Sequence, residues 1–119
     1  MKVGIFLALY NDQPLDQVLS YVATIGFEMV EIAAWKGSNH IDIDSVVEGG
    51  SQEYLREMGK HGLEISALSN HLEGQLILGP HDESTDDWFK GTPSEKVKYG
   101  TRRMMRTIEA AQSLGVRVV

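Results

Sequence analysis

Cysteine is absent from this 119-residue sequence. Its absence excludes disulfide bonds, thiolate metal sites and cysteine nucleophiles. Basic residues are also few, because 11 lysines and arginines stand against 17 aspartates and glutamates, for a formal net charge of -6. A chain with this balance gains little of the phosphate attraction that drives non-specific binding to nucleic acids. We therefore expect no nucleic-acid partner.

Long apolar runs are missing too, since no segment approaches the roughly 20 residues that a membrane-spanning helix needs. The first apolar stretch, residues 3–9, follows a single lysine and leads into residues 10–14 (YNDQP). That continuation offers no small-residue cleavage site of the kind that ends a secretory signal. These features predict a cytoplasmic protein with no membrane partner.

Apolar residues recur along the chain with two different periods. Continuous apolar runs indicate strands buried on both faces, and apolar residues at helical spacing indicate helices between them. Strands are predicted at residues 2–10, 27–35 and 63–69, with a fourth beginning at 116–119, and helices at 12–25, 51–61 and 92–114. Between the third strand and the last helix, the sequence predicts a long polar connection from Leu72 to Gly91.

Helix starts are marked by residues that favour the N-cap position, which are Asp12, Ser51 and Thr92. Thr92 is followed by Pro93 and Glu95, and this combination predicts a capping box. The predicted apolar face of the last helix consists of Val97, Met104, Ile108 and Ala111.

Three similar short segments join a predicted helix to the next strand. Each contains a helix end, a glycine and an apolar residue, at residues 25–27 (IGF), 61–63 (HGL) and 114–116 (LGV). Such short connections predict an α/β protein with a parallel sheet and right-handed crossovers. The loops that follow the strands are the long ones, and ligand sites in these folds lie at the carboxyl ends of strands.

Two α/β architectures compete for this pattern. A doubly wound nucleotide-binding sheet should carry a glycine-rich phosphate loop, but residues 9–14 contain no glycine and residues 74–79 lack the P-loop spacing. A (β/α)8 TIM barrel fits better, although such a barrel usually has about 250 residues. We therefore expect residues 1–119 to form its first three βα units and a fourth strand, the N-terminal half of one TIM-barrel domain.

Five residues are candidates for substrate binding: Phe6, Trp35, Asn70 and His71 at or near predicted strand ends, and Glu31 inside the second strand. An imidazole at a strand end can bind a metal, move a proton or hydrogen-bond a sugar hydroxyl, so His71 is the leading candidate. Glu31 should face the barrel interior, where it either binds substrate or joins an internal ion pair. Phe6 and Trp35 offer flat faces to a sugar or pack within the barrel, and Asn70 binds a hydroxyl or shapes a turn.

Other polar groups have simpler interpretations. His40 and His81 lie in long loops near carboxylates, but without a metal-binding spacing, so solvated positions are expected. His61 suits the C-terminus of a helix, where the macrodipole favours a cation. The acidic residues at 82–87 precede Trp88 and form either a lid anchored by this tryptophan or a solvated loop.

Basic residues recur on the last helix at every fourth position, as Lys98, Arg102 and Arg106, with Lys96 and Arg103 beside them. The stripe is expected to be a solvated helix face. Its separation from an aromatic stacking platform for bases also argues against nucleic acid.

Four short segments carry a family resemblance. They are residues 2–6 (KVGIF), 25–32 (IGFEMVEI), 65–71 (ISALSNH) and 110–116 (AAQSLGV). Their order and spacing resemble the sugar phosphate isomerase/epimerase superfamily of xylose isomerase-like TIM barrels. That superfamily includes ketose 3-epimerases, inosose dehydratases and the endonuclease IV branch. The resemblance covers the whole chain and the N-terminal half of such a barrel.

This resemblance implies a divalent metal, Mn²⁺, Mg²⁺, Co²⁺ or Zn²⁺, held by carboxylates and histidines. It also implies two glutamates that move a proton at the carbon next to a carbonyl. These groups come mostly from later strands, so the catalytic residues are expected outside the 119 residues. Within them, the resemblance makes Phe6 a substrate-pocket aromatic, Glu31 the second-strand glutamate, and His71 the third-strand histidine, a metal ligand in the endonuclease-like branch.

The expected parent enzyme isomerises, epimerises or dehydrates a small polyol or keto sugar, and we do not expect the 119 residues alone to catalyse this reaction. One alternative is an endonuclease-IV-like metal phosphodiesterase, which the net charge of -6 disfavours. Another is a non-catalytic half-barrel. Open sheet edges leave strand groups unpaired, so self-association into a homo-oligomer is expected.

Overall fold

A parallel sheet organises the computed structural model, which describes residues 1–119. Its strands are β1 (Gly4–Phe6), β2 (Met29–Ala33) and β3 (Glu64–Ser69), paired in the order β1-β2-β3. The predicted α/β class with a parallel sheet is confirmed. Each strand is shorter than the sequence predicts, and Leu7–Tyr10 forms a 3-10 turn where the first strand was expected to continue.

The helices are α1 (Leu15–Thr24), α2 (Ile43–Ser45), α3 (Ser51–Lys60), α4 (His71–Leu78) and α5 (Pro93–Leu114). Helices α1, α3 and α5 confirm the three that the sequence predicts. Two of the predicted N-caps are wrong: α1 begins directly after Pro14, and α3 continues from a π-helical turn at Val46–Gly50. No helix has both the length and the apolar character needed to cross a membrane.

Helix α4 lies where the sequence predicts a polar connection, so that prediction is wrong for residues 72–78. Two glycines allow α4 and α5 to pack closely. A Cβ atom at Gly100 would lie 2.9 Å from the carbonyl oxygen of Glu73, and one at Gly74 would lie 3.1 Å from the sulfur of Met104. Tertiary packing against α5 therefore stabilises a helix whose own sequence has weak start signals.

Helix α5 begins and ends as predicted. Thr92 Oγ1 accepts a hydrogen bond from the Glu95 backbone, and the Glu95 carboxylate accepts one from the Thr92 backbone. Gly115 closes the helix in the left-handed region, with φ of 70°. The predicted apolar face is confirmed at Ala111 and wrong at Ile108, which is 48% exposed, while Val97 and Met104 are half-buried. The fully buried residues of the helix are Lys96, Tyr99, Gly100, Thr107, Ala110, Ala111 and Leu114.

The hydrophobic core occupies one face of the sheet. Val30, Ile32 and Leu68 point into it from the strands, and residues of α1, α3 and α5 cover them. Strand alternation turns Glu31 and Ala33 to the other side of the sheet, as the sequence predicts for β2. We call this second side the open face.

One residue of β3 has no partner on β2. Val30 pairs with Ile65, but the next residue, Glu31, pairs with Ala67, so Ser66 is an extra residue in the ladder. The Ser66 hydroxyl donates a hydrogen bond to the carbonyl oxygen of Val30 at 3.0 Å. This arrangement is a β-bulge, which keeps the two strands paired on both sides of the insertion.

Residues 116–119 run beside β3 without forming the fourth strand that the sequence predicts. A backbone hydrogen bond from Leu68 to the Val118 carbonyl oxygen, 3.0 Å long, joins this segment to β3. At the opposite edge of the sheet, β1 pairs with β2 alone. The 119 residues thus contain an open three-stranded sheet.

Candidate functional site

Three aromatic rings meet at the carboxyl ends of the strands. Phe6 ends β1, while Trp35 and His71 each follow the end of a strand by two residues. The ring centroid of Trp35 lies 5.2 Å from that of His71 and 6.1 Å from that of Phe6, and the Phe6 and His71 centroids are 6.4 Å apart. We call these three residues the aromatic rim. Its edge-to-face and tilted contacts are those that aromatic rings favour.

A serine on the open face orients the imidazole of the rim. Ser69 Oγ lies 2.9 Å from Nδ1 of His71, and the histidine is otherwise exposed. Because Nδ1 is engaged, Nε2 is the ring nitrogen left free for a further hydrogen bond. The sequence contains a signal for this pair, since residues two apart near a strand end project to the same side, but Ser69 is not among the predicted site residues.

Glu31 shares a row of the open face with Phe6. Across the sheet, Phe6 is the register partner of Glu31, and Glu31 is the register partner of Ala67. Glu31 is half-buried and takes part in none of the ion pairs of the structure. The internal ion pair that the sequence allows does not form, and a ligand-binding carboxylate stays a prediction. The small Ala67 side chain leaves space beside it.

Asn70 lies away from the aromatic rim and is 2% exposed. Its Nδ2 donates hydrogen bonds to Glu73 Oε2 and Thr107 Oγ1, each at 2.9 Å. Glu73 also accepts hydrogen bonds from the Tyr99 hydroxyl at 2.6 Å and from Arg103 Nε at 3.0 Å. We call these five residues the Glu73 network. It joins α4 to α5, so the structure places Asn70 among buried polar groups rather than at the predicted hydroxyl-binding position.

Burial and the neighbouring carboxylate also affect the tyrosine of this network. Desolvation raises the pKa of Tyr99 to about 12, and the hydrogen bond to Glu73 contributes in the same direction. The phenol therefore remains a hydrogen-bond donor at neutral pH and does not provide a base.

A cleft of about 820 Å³ opens beside the aromatic rim, between the loop after β2 and helix α5. Trp35 belongs both to its wall and to the rim. Small-molecule sites usually have about 300–1,000 Å³. Lys36 and Arg102 line the cleft without an ion-pair partner, and of these two the sequence pattern singles out Arg102, as part of the basic stripe.

The basic stripe of α5 is not a uniformly solvated face. Asp44, in α2, accepts hydrogen bonds from Arg103 Nη1 at 3.1 Å and from Arg106 Nε at 2.8 Å. The predicted solvated face therefore applies to Lys98 and Arg102, whereas Arg103 and Arg106 fix α5 to the loop after β2. These pairs form one wall of the cleft.

Acid should weaken the contact between α2 and α5. The hydrogen bond from Arg106, aided by the charges of Arg103 and Arg106, lowers the pKa of Asp44. A carboxyl whose folded pKa is lowered contributes stability above its unfolded pKa of about 3.9, and loses it as the pH falls through the folded value. Asp44→Asn should therefore lower Tm at pH 7 and reduce the loss of stability below about pH 4.

Thermal unfolding followed between about pH 2 and pH 7 measures this effect. Asp44 is 52% exposed in its side chain, so the change at neutral pH should be modest, about 0.5–1 kcal/mol. Asp87→Asn is the matched control, because Asp87 is exposed and forms no ion pair. Identical acid profiles for the two variants would contradict the role of Asp44.

Two loop histidines are packed against the protein. His40 is 2% exposed, and its Nε2 lies 3.0 Å from the carbonyl oxygen of Gln13. His81 is half-buried, with Nε2 2.9 Å from the carbonyl oxygen of Leu76. The predicted solvated positions are wrong for both residues, and these hydrogen bonds to the backbone connect loops to neighbouring elements.

A buried lysine fixes the acidic loop to α5. Lys96 is 1% exposed, and its Nζ donates to the Asp82 carbonyl oxygen at 2.6 Å, Thr85 Oγ1 at 2.9 Å and Asp86 Oδ1 at 2.6 Å. The predicted solvated position is wrong for Lys96. These contacts also contradict a freely solvated loop, while a lid anchored by Trp88 stays a prediction.

The aromatic rim does not by itself supply a complete metal site. Its one metal-binding donor is the His71 imidazole, and Glu31 on the open face adds a carboxylate, whereas catalytic zinc sites use three protein ligands. The group of three whose ligand atoms lie within 4.8 Å of one another is Asp16, Glu57 and His61, on α1 and at the end of α3. The metal that the resemblance implies is thus not accounted for by the rim residues present.

No known protein-family model matches the chain, and no curated protein matches it either. The chemistry available at this site therefore has to be inferred from its own side chains. The rim combines two apolar ring faces with an oriented imidazole. Glu31, the register partner of Phe6, adds a carboxylate without an ion-pair partner, and the neighbouring cleft adds the cations Lys36 and Arg102.

Proposed function

We propose that the aromatic rim binds a small polyol or keto sugar. The observation that carries this proposal is the meeting of Phe6, Trp35 and His71 at the carboxyl ends of parallel strands. This is the edge at which α/β barrels place their binding groups. The ring faces would contact the CH groups of the ligand, while His71 Nε2 and the Glu31 carboxylate would hydrogen-bond its hydroxyls.

The proposed parent protein is a metal-dependent sugar isomerase or epimerase of the (β/α)8 class, of which this chain forms the first βα units. The resemblance to the sugar phosphate isomerase/epimerase superfamily supports this assignment. The open sheet also supports this assignment. One edge is β1 and the other is bordered by the segment at 116–119, so further strands could pair at both edges. A proton transfer next to a carbonyl needs a metal and an acid/base pair, which we assign to such strands.

Ligand binding should depend on the rim residues. Trp35 and Trp88 are the two tryptophans of the chain, so the variant Trp88→Phe leaves a single fluorophore at the rim. In this background, titration with ketopentoses, ketohexoses and cyclic polyols should give a saturable change in fluorescence. Phe6→Ala should weaken binding by about tenfold, because it removes one aromatic wall. Glu31→Gln should weaken it through loss of a charged acceptor.

Leu9→Ala is the matched control, because this apolar side chain is 74% exposed and is not part of the rim. An unchanged affinity in Phe6→Ala, or the absence of a saturable signal with every sugar class, would contradict the proposal. Light scattering on the same samples gives the oligomeric state. A dimer that binds no sugar would favour the non-catalytic, self-associating half-barrel.

A further inference from the structure

A histidine and two carboxylates converge between helices α1 and α3. Asp16 is in the first turn of α1, while Glu57 and His61 lie one helical turn apart at the end of α3. Their ligand atoms all lie within 4.8 Å of one another, and Nε2 of His61 is 3.0 Å from Oδ1 of Asp16. We call these three residues the helix triad. None of them belongs to the aromatic rim or lines the cleft beside it.

The spacing of the helix triad suits a small metal ion. Tetrahedral zinc holds nitrogen and oxygen ligands at about 2.0–2.2 Å, which places neighbouring ligand atoms about 3.3 Å apart. The His61–Asp16 pair is already near this separation, and Glu57 reaches it by side-chain rotation. Residues at i and i+4 project from the same face of a helix, as they do in zinc sites built on one helix.

The donor types favour a transition metal over the alkaline-earth ions. Imidazole nitrogen suits zinc, copper or nickel, whereas magnesium and calcium take oxygen ligands. The side chain of His61 is 16% exposed, so its ring is held in place, while Asp16 is 70% exposed and gives access from solvent. The triad thus combines a fixed nitrogen ligand with carboxylates that can adjust.

One lysine competes for the triad. Lys60 Nζ lies 2.5 Å from Glu57 Oε2, and its side chain is 59% exposed. The triad itself carries two carboxylates, while Lys60, with Arg56 near it, supplies the positive charges that a bound cation would have to displace. Because Lys60 reaches solvent, its ammonium can move into water and release the glutamate.

The geometry points to a zinc site formed by Asp16, Glu57 and His61, with water completing the coordination. The ion would join α1 to α3, two helices that cover the same core through Val18, Leu19, Val22 and Met58. This site has a structural role and does not depend on the sugar site proposed for the rim. Zinc that binds the folded chain stabilises it by mass action.

Titration of the metal-free 119-residue chain, without a histidine tag, tests the site. Calorimetry with zinc chloride should show one ion bound per chain, and excess zinc should raise Tm while magnesium chloride does not. Asp16→Asn and His61→Ala should each weaken binding at least about tenfold, because they remove a ligand. Lys60→Ala should tighten binding by about two- to fivefold, because it removes the competing cation from Glu57.

His81→Gln is the matched control, since it removes a histidine outside the triad and should leave zinc affinity unchanged. Asp16→Asn changes an exposed side chain, so it retains the fold even where His61→Ala does not. Unchanged affinity in Asp16→Asn would overturn the assignment. It would also be overturned by weaker binding in Lys60→Ala, or by loss of zinc in His71→Ala with retention in Asp16→Asn, which would move the metal to the rim.

Discussion

Replacing Glu73 with alanine is expected to lower the free energy of unfolding by about 3–5 kcal/mol. The Glu73 side chain is 2% exposed and pairs with Arg103 Nε at 3.0 Å. It also accepts hydrogen bonds from Tyr99 at 2.6 Å and Asn70 at 2.9 Å. Alanine would leave a partly buried arginine and two buried donors short of a partner. Urea unfolding with linear extrapolation measures the loss.

Glu109 offers a matched control, because its side chain is 52% exposed and pairs with Arg106 on the surface. Glu109→Ala should change stability by less than about 1 kcal/mol. The cause is tested by the double variant Glu73→Leu with Arg103→Met. Apolar replacement of both partners should recover the part of the loss due to the unpaired arginine, whereas the Tyr99 and Asn70 donors still lack their acceptor. Equal losses in Glu73→Ala and Glu109→Ala would contradict the importance of the Glu73 network.

The second large effect is expected at Lys96. Lys96→Met retains much of the side-chain volume but removes the ammonium that holds Asp82, Thr85 and Asp86. Breaking a buried pair by removing one partner costs about 3–5 kcal/mol. The loop at 82–86 should also open locally, since its contacts with α5 are lost. Urea unfolding measures the first effect, and limited proteolysis under native conditions measures the second.

Lys98→Met is the control on the same helix, because Lys98 is exposed and forms no ion pair. It should change stability by less than about 0.5 kcal/mol and leave the cleavage pattern unchanged. If Lys96→Met kept both the stability and the protease resistance of the original chain, the buried lysine would have no part in fixing the loop.

Much of the fold could be predicted because its signals are local. A glycine closes α5 at Gly115, and glycines at Gly26 and Gly62 take positive φ between a helix and the next strand. The capping box of Thr92 and Glu95 needs only residues three apart. These features depend on neighbouring residues, and short loops between helix and strand then determine the parallel pairing.

Helix α4 could not be predicted in the same way. Its N-cap residue, Asn70, makes no capping hydrogen bond. Its Nδ2 donates to Glu73 and Thr107, and its Oδ1, the atom that would accept a hydrogen bond from the helix, has no partner. Gly74 in the middle of the helix lowers its intrinsic propensity. The helix forms through contact with α5, which is distant in sequence, and no local pattern reports such a contact.

The buried face of α5 differs from the predicted apolar face because several of its buried residues are polar. Lys96, Gly100, Thr107 and Leu114 lie on the buried face at intervals of four, seven and seven residues, which fits a helical period. The apolar periodicity of the sequence does not include Lys96 and Thr107, although both are buried. Their burial depends on partners in α4 and in the acidic loop, and the sequence does not reveal these partners.

The sequence predicts which residues lie near the candidate site, but it does not predict which of them contact one another. Phe6, Trp35 and His71 follow from the rule that strand ends carry ligand groups, and the structure brings them together. Asn70 follows from the same rule, yet it lies on the other side of the chain from Ser69 and enters the Glu73 network. Alternation along a strand end decides which of two adjacent polar residues faces the site.

The single unpaired residue of β3 determines which side chains lie on the open face of the sheet. A regular strand through residues 63–69 would send Ala67 and Ser69 to the same side as Ile65, into the helices. Because Ser66 is an extra residue in the strand, Leu68 enters the core instead, and Ala67 and Ser69 lie on the open face. One inserted serine thus puts a methyl group beside Glu31 and a hydroxyl against His71, on the face where an uninterrupted strand would have placed a bulky leucine.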